Sequence, residues 1–496
     1  MEPYLKSLDP RVNAMRKFVA NYYSHGPVDV DGLKWPFEHL HKTAFCSNDD
    51  IFEPSISEEI HGEFMDAYRL LAKMPLVPHI TDPTFSEVLQ TWVEHVFSGS
   101  MNQSWNDVWT PKLIVHFYRR ITPPEYQTRA HMQIVYTVAA AFDMATTNAI
   151  IIDDRIDQCD TRGGSPAWHI SHPVTHATDA GVLTAIGKRA LRFLVPDSHP
   201  CKREILDVYD DYNDFTTSYM AMSGARLQAT PDEELRRRLY YPVEQVTSET
   251  HRAFTWMRAG YHSAAMHEAV RLLACYANVV ATKDRHELYI DVLARGNAVL
   301  CVLDDIRDSR ALGAGVPAKE TPQSLDEYVE YVTDEMMGDF LCGETHQTFL
   351  LASLELGRGE SQVVDLREDE RTEIMGTLRE FYWPKEQGQK EDPAVKNART
   401  RRLTSMFLKY NLLGYLKEHV LARVLKEYFI TYHRAVEVLG IPADLLSYPM
   451  GAMICDETET RPEHVATAVG KLMATPNRYM GEEEKFRRML KLIQDI

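Results

Sequence analysis

Paired cysteines are missing from this chain. Its seven cysteines, Cys46, Cys159, Cys201, Cys275, Cys301, Cys342 and Cys455, lie far apart and form no CxxC. Neither a zinc site nor a disulfide framework is implied, and the pattern suits a reducing compartment. A basic excess is missing as well. The chain has 54 Lys and Arg against 72 Asp and Glu, a formal net charge of −18 and a pI near 5.6. That balance argues against nucleic acid or an anionic membrane as the main partner, because both select a basic surface. An anionic substrate would need a local basic site or a bound metal. The opening residues, Met1-Glu2-Pro3-Tyr4-Leu5-Lys6, lack a basic segment leading into an apolar run. No secretory signal is readable, and a cytoplasmic location is expected. There is no repeat at a solenoid period and no low-complexity tract.

What is present reads as helix. The 496 residues leave room for two to four domains by length, although large helical domains run longer. Residues 1–80 mix aromatic patches with Pro27, Pro36 and Pro54 and are expected to form an irregular N-terminal extension. From about residue 85 the spacing of Val88, Trp92, Val93 and Val96 is helical. Pro111 is expected to open the next helix, which carries Lys112 towards Arg119 and Arg120. Further helical patterning covers 180–195, 203–224, 232–275, 284–310, 324–356 and 403–439, with no convincing alternating strands. The fold class is all-α, and residues 81–496 are read as one helical domain. The stretch 383–402 is polar, charged and poor in apolar residues, and is expected to be an exposed loop or insertion.

The longest apolar stretch, 132–152, is long enough to be taken for a membrane span. Asp143 and Asn148 interrupt it, however, and Asp153-Asp154-Arg155-Ile156-Asp157 ends it. It is therefore expected to be a buried core helix, and no membrane span is expected. On that helix Asp153 and Asp157 are i and i+4 neighbours, with Asp154 at the edge of the same patch. Three carboxylates on an apolar helix are costly to desolvate unless cations neutralise them, and hard oxygen ligands of this kind suit Mg²⁺. Asp304-Asp305-Ile306-Arg307-Asp308 repeats the DDxxD spacing, again after an apolar helical run. Two such faces set opposite each other in a helical bundle would cage several metal ions, with space for a diphosphate between them. A looser copy, Asp210-Asp211-Tyr212-Asn213-Asp214, has polar surroundings and reads as a solvated helix face.

The segment Asp153-Asp154-Arg155-Ile156-Asp157, followed by Thr161-Arg162-Gly163-Gly164 and Trp168, resembles the first aspartate-rich region of the trans-isoprenyl diphosphate synthases. The second cluster, at Asp304, stands where that family has its second. Arg258-Ala259-Gly260-Tyr261-His262-Ser263 resembles the intervening Lys-Thr helix. The similarity covers roughly residues 105–345. It implies an isoprenoid synthase helical bundle in which Asp153, Asp154, Asp157, Asp304, Asp305 and Asp308 bind Mg²⁺, three ions by family resemblance. Those ions would hold the diphosphate of an allylic prenyl substrate, assisted by Arg162, Arg258 and Lys319. A homodimer is plausible on the same resemblance.

The departures from the family concern a second substrate. Where the family holds isopentenyl diphosphate, Thr110-Pro111-Lys112-Leu113-Ile114-Val115 keeps Lys112 but has Val115 at the expected Arg. Thr146 stands at the Gln position, and Gly163 replaces the second Arg of Arg-Arg-Gly. Each lost Arg removes a bidentate diphosphate contact. The helix around Met220-Ala221-Met222-Ser223-Gly224 also lacks the family's Gln and Asp. The leading expectation is ionisation of one prenyl diphosphate, farnesyl or geranylgeranyl, followed by terpene cyclisation or transfer to a non-isoprenoid acceptor. The alternatives are ordinary condensation with isopentenyl diphosphate and a non-catalytic prenyl-diphosphate-binding or regulatory subunit.

Overall fold

The computed structural model describes residues 109–157, 161–162, 165–222, 234–235, 243–256, 261–275, 283–308, 348–361, 363–382, 393–440 and 483–488. It also describes pieces at 33–35, 62–68, 71, 84, 87–88 and 91–96. The described residues are helical throughout, apart from turns and one small hairpin. In chain order the longer helices are α1 (Trp109–Ile121), α2 (Arg129–Asp157), α3 (His176–Leu194), α4 (Lys202–Met222), α5 (Ser248–Thr255), α6 (Tyr261–Leu273), α7 (Lys283–Asp308), α8 (Thr348–Gly357), α9 (Glu368–Tyr382), α10 (Pro393–Lys409) and α11 (Leu421–Leu439).

Helix α2 is the axis of the bundle. It is long and apolar enough to cross a membrane, yet α1, α3, α4 and α6 all pack on it. Val135, Val138, Phe142 and Met144 are completely buried, so its apolar faces are spent on protein neighbours. The aspartates close α2 as the sequence implies. Small residues let α3 approach closely: a Cβ added at Gly187 would meet the Tyr209 hydroxyl and lie 2.9 Å from the Ala141 carbonyl oxygen. Gly187→Ala must therefore push α2 and α3 apart or displace Tyr209. We expect a loss of about 1–3 kcal/mol, the usual penalty of overpacking, read as a lower urea midpoint with an unchanged slope.

The second aspartate helix, α7, packs against α6 and α11. Helix α6 thus touches both aspartate helices and ties them into one bundle. Described pieces of the N-terminal 80 residues join the same core: Trp35, Phe64, Tyr68 and Leu71 are buried in it. The Trp35 ring sits edge-on to His131 at 4.9 Å and to His199 at 4.4 Å.

Several boundaries differ from the sequence reading. The 232–275 stretch is not one helix; α5 starts after Thr247, whose side chain accepts the Thr250 N–H in a capping box. The second half of the polar stretch 383–402 is helical: α10 starts at Pro393 and buries Leu403, Met406 and Phe407. Proline suits the first turn of a helix, and Ala, Lys and Arg after it are good helix formers. Val88 and Trp92 are exposed, whereas Val93 and Val96 are buried, so the inward face of that segment is narrower than the spacing suggested. The expected helix over 324–356 is described only from Thr348 onward. Asp211 and Asp214 are exposed, and Asp210 meets Lys188 at 2.6 Å. The third acidic cluster is the solvated face expected of it.

Candidate functional site

Helix α2 delivers Asp153 and Asp154 to different surroundings. Asp153 is half-buried at the open end of the helix, while Asp154 is 1% exposed. A buried carboxylate needs a compensating charge, and the chain supplies it from eight residues on. Thr161–Arg162 and Ser165–Pro166 pair as two short antiparallel strands, with Arg162 opposite Ser165. The two residues between the strands are Gly163-Gly164, a composition that two-residue hairpin loops favour. The hairpin holds Arg162 over the end of α2. Its Nε donates to Asp154 Oδ1 at 2.9 Å, and its Nη2 donates to the same oxygen. Asp154 Oδ2 is buried with no hydrogen-bond partner. Two-residue strands carry no alternation, which is why the hairpin was not legible in the sequence.

Trp168 fixes the chain beyond the hairpin. It is buried, donates through Nε1 to Asp179 Oδ2 at 3.0 Å and stacks on His172 at 3.8 Å. Asp179 also accepts from Trp92 Nε1 at 3.0 Å and from the Thr175 hydroxyl at 2.8 Å. Trp168 is committed to packing and to the Asp179 carboxylate.

At the end of α7, Asp305 is 9% exposed, and its Oδ2 accepts the backbone N–H of Thr348 at 2.7 Å. That N–H is one of the donors left unpaired at the start of α8, so the carboxylate anchors the next helix. Asp157, Asp304 and Asp308 lie on α2 and α7 by backbone, and Lys112 on α1; their side chains fall outside the described residues. So do Arg258 and Lys319 entirely. Among the described residues, no three His, Cys, Asp or Glu side chains converge on one point.

One group escaped the sequence reading. Along α2, Asp143, Thr146, Ile150 and Asp153 are partly accessible, as are Asn148, Ala149 and Ile152 beside them. The spacing of the first four, by three, four and three residues, places them on one stripe of the helix, and that stripe runs into the aspartate cluster. Protein surrounds the Asp143 carboxyl closely enough that burial pushes its pKa up to about 7. Opposite it, α4 contributes Tyr212, which is 4% exposed, lies 5.9 Å from the Phe142 ring and places its hydroxyl 3.4 Å from Thr146 Oγ1. The only trace of this in the sequence was one acidic residue inside an otherwise apolar run.

No family model matches the chain, and no curated protein sequence does. Among solved structures, the chain is similar to a T. brucei farnesyl diphosphate synthase complexed with risedronate, with a TM-score of 0.55 at 12% identity, covering 81% of this chain and 99% of that one. At that identity the likeness speaks for architecture: the chain has the helical fold of the isoprenyl diphosphate synthases.

Proposed function

We propose that the chain binds an allylic prenyl diphosphate at the ends of α2 and α7 and releases its diphosphate with the help of Mg²⁺. The observation that carries this reading is the position of the two DDxxD sequences. Each ends a long helix, both helices pack on α6, and the whole has the fold of a farnesyl diphosphate synthase. The residues suit the ion. Asp154 Oδ2 is a buried hard-oxygen donor without a hydrogen-bond partner, and Asp305 places a second buried carboxylate at the end of α7.

Asp153, Asp154, Asp157, Asp304, Asp305 and Asp308 would hold the ions, and Arg162, Arg258, Lys319 and Lys112 would hold the diphosphate. Bound Mg²⁺ would supply Lewis-acid neutralisation of the departing diphosphate. The chain itself supplies position and dryness. Arg162 keeps a fixed positive charge at the end of α2, and the apolar residues of α2 shield an allylic cation from water. Since Val115, Thr146 and Gly163 stand where the family holds isopentenyl diphosphate, the cation would end by cyclisation or by transfer to another nucleophile.

Incubating the purified chain with Mg²⁺ and farnesyl or geranylgeranyl diphosphate should release diphosphate in stoichiometric yield with a new prenyl product. Absence of release with both would overturn the reading. Adding labelled isopentenyl diphosphate decides against elongation if no label enters the product.

A further inference from the structure

We propose that Asp143 is the base that takes the terminating proton from the carbon skeleton, so that the reaction ends in a cyclic olefin. The inference rests on the reading above and adds a residue and a product class to it. Its basis is the accessible stripe of α2. Asp143 and Asp153 share that stripe ten residues apart, a separation of about 15 Å along a helix rising 1.5 Å per residue. The diphosphate would occupy the level of Asp153. The skeleton below it would lie along Ile150 and Thr146, and its lower end would reach Asp143.

Beside Asp143, Phe142 and Met144 are completely buried, the Thr146 and Tyr212 hydroxyls lie 3.4 Å apart, and the Thr147 hydroxyl is buried one turn further on. Among the described residues no group hydrogen-bonds the Asp143 carboxyl, whereas the stripe leaves it partly accessible. A carboxyl in such a place serves poorly as a structural group: it contributes no bond and resists burial when charged. It suits a positively charged partner that comes and goes.

The step balances without a co-reactant. Ring closure consumes a distal double bond and moves the positive charge from the ionised carbon into the skeleton. A C–H bond next to the cationic carbon then breaks, and its electron pair becomes the new C=C. The proton goes to an Oδ of Asp143 and passes to water once the product has left. The acid produced is neutral, the form favoured by desolvated surroundings, so burial assists the transfer. Transfer of the prenyl group to an external nucleophile would place the chemistry beside the diphosphate and give Asp143 no such task.

The test compares wild type with Asp143→Asn and Asp143→Ser, using Mg²⁺ with farnesyl or geranylgeranyl diphosphate. Diphosphate is quantified alongside hydrocarbon and alcohol products by mass spectrometry, with melting curves to confirm folding. The amount of the wild-type olefin per diphosphate released should fall at least tenfold in both variants, with alcohols or isomeric olefins making up the balance. An unchanged product distribution in a folded variant overturns the role of Asp143. So does a wild-type product that is an adduct or an acyclic chain. A wild type that releases no diphosphate overturns the underlying reading, and the role of Asp143 falls with it.

Discussion

Asp153→Asn combined with Asp304→Asn should abolish diphosphate release, with a loss on the order of 10³-fold or more in kcat/KM, the scale set by removing charge-stabilising groups from a transition state. The two substitutions remove one negative charge from the end of each aspartate helix while keeping the size and hydrogen-bonding capacity of the side chains. The bundle should survive them. Its cohesion comes from residues such as Val138, Phe142, Leu183 and Val302, all completely buried, and none of these depends on the charge at the helix ends. A melting temperature near that of the wild type, together with lost turnover, is the expected pair of results. Retained turnover in the double variant would remove the case for a metal cage, because the remaining acidic residues would then be carrying the chemistry without the first member of either cluster.

Arg162→Met should unfold more easily by about 3 kcal/mol, the lower end of the range for breaking a buried ion pair, because the arginine side chain is itself 28% exposed and partly screened. Met preserves much of the volume and removes the charge. What remains is a carboxylate at 1% exposure whose described hydrogen bonds have both gone. The diagnostic measurement is a double-mutant cycle in urea. In an Asp154→Asn background, Arg162→Met should cost much less than it does alone, because no buried charge is left uncompensated. Equal costs in the two backgrounds would mean that the pair contributes no coupling. The same experiment separates two uses of Arg162: as a diphosphate ligand alone it would change KM and leave the urea midpoint in place.

The sequence conveyed the fold where the signal was periodic. Helix α2 runs to Asp157 and α7 to Asp308, as the apolar runs and acidic ends implied, and α4 presents Asp211 and Asp214 to solvent. It conveyed less where the controlling interaction was local. The start of α5 depends on one threonine pair, Thr247 and Thr250, and the Arg162 hairpin depends on two-residue strands with no alternation to detect. Helix α10 was hidden by its charge: its described buried residues, Leu403, Thr404, Met406 and Phe407, gather in its second half, beyond the polar stretch.

The site divides in the same way. Aspartate spacing singled out both clusters as candidates. It did not reveal that Asp154 is held by Arg162, that Asp305 anchors a backbone amide, or that Asp143 shares a stripe with Asp153. The first two are contacts between segments, of which spacing within one segment contains no record; the third lies within α2, but which face of a long apolar helix stays accessible is decided by what packs on it. Gly163 is a case in point. Read against the family it is a lost arginine, whereas its position between Arg162 and Ser165, which pair across the hairpin, also suits the small residues that two-residue hairpin loops favour.

The bond from the Thr348 amide to Asp305 has a topological effect. It ties the last turn of α7 to the first residue of α8 across 43 positions of sequence. Asp305 therefore has a folding duty beside its proposed metal-binding one, and Asp305→Ala should lower the urea midpoint as well as turnover, because it leaves a buried backbone N–H without its acceptor.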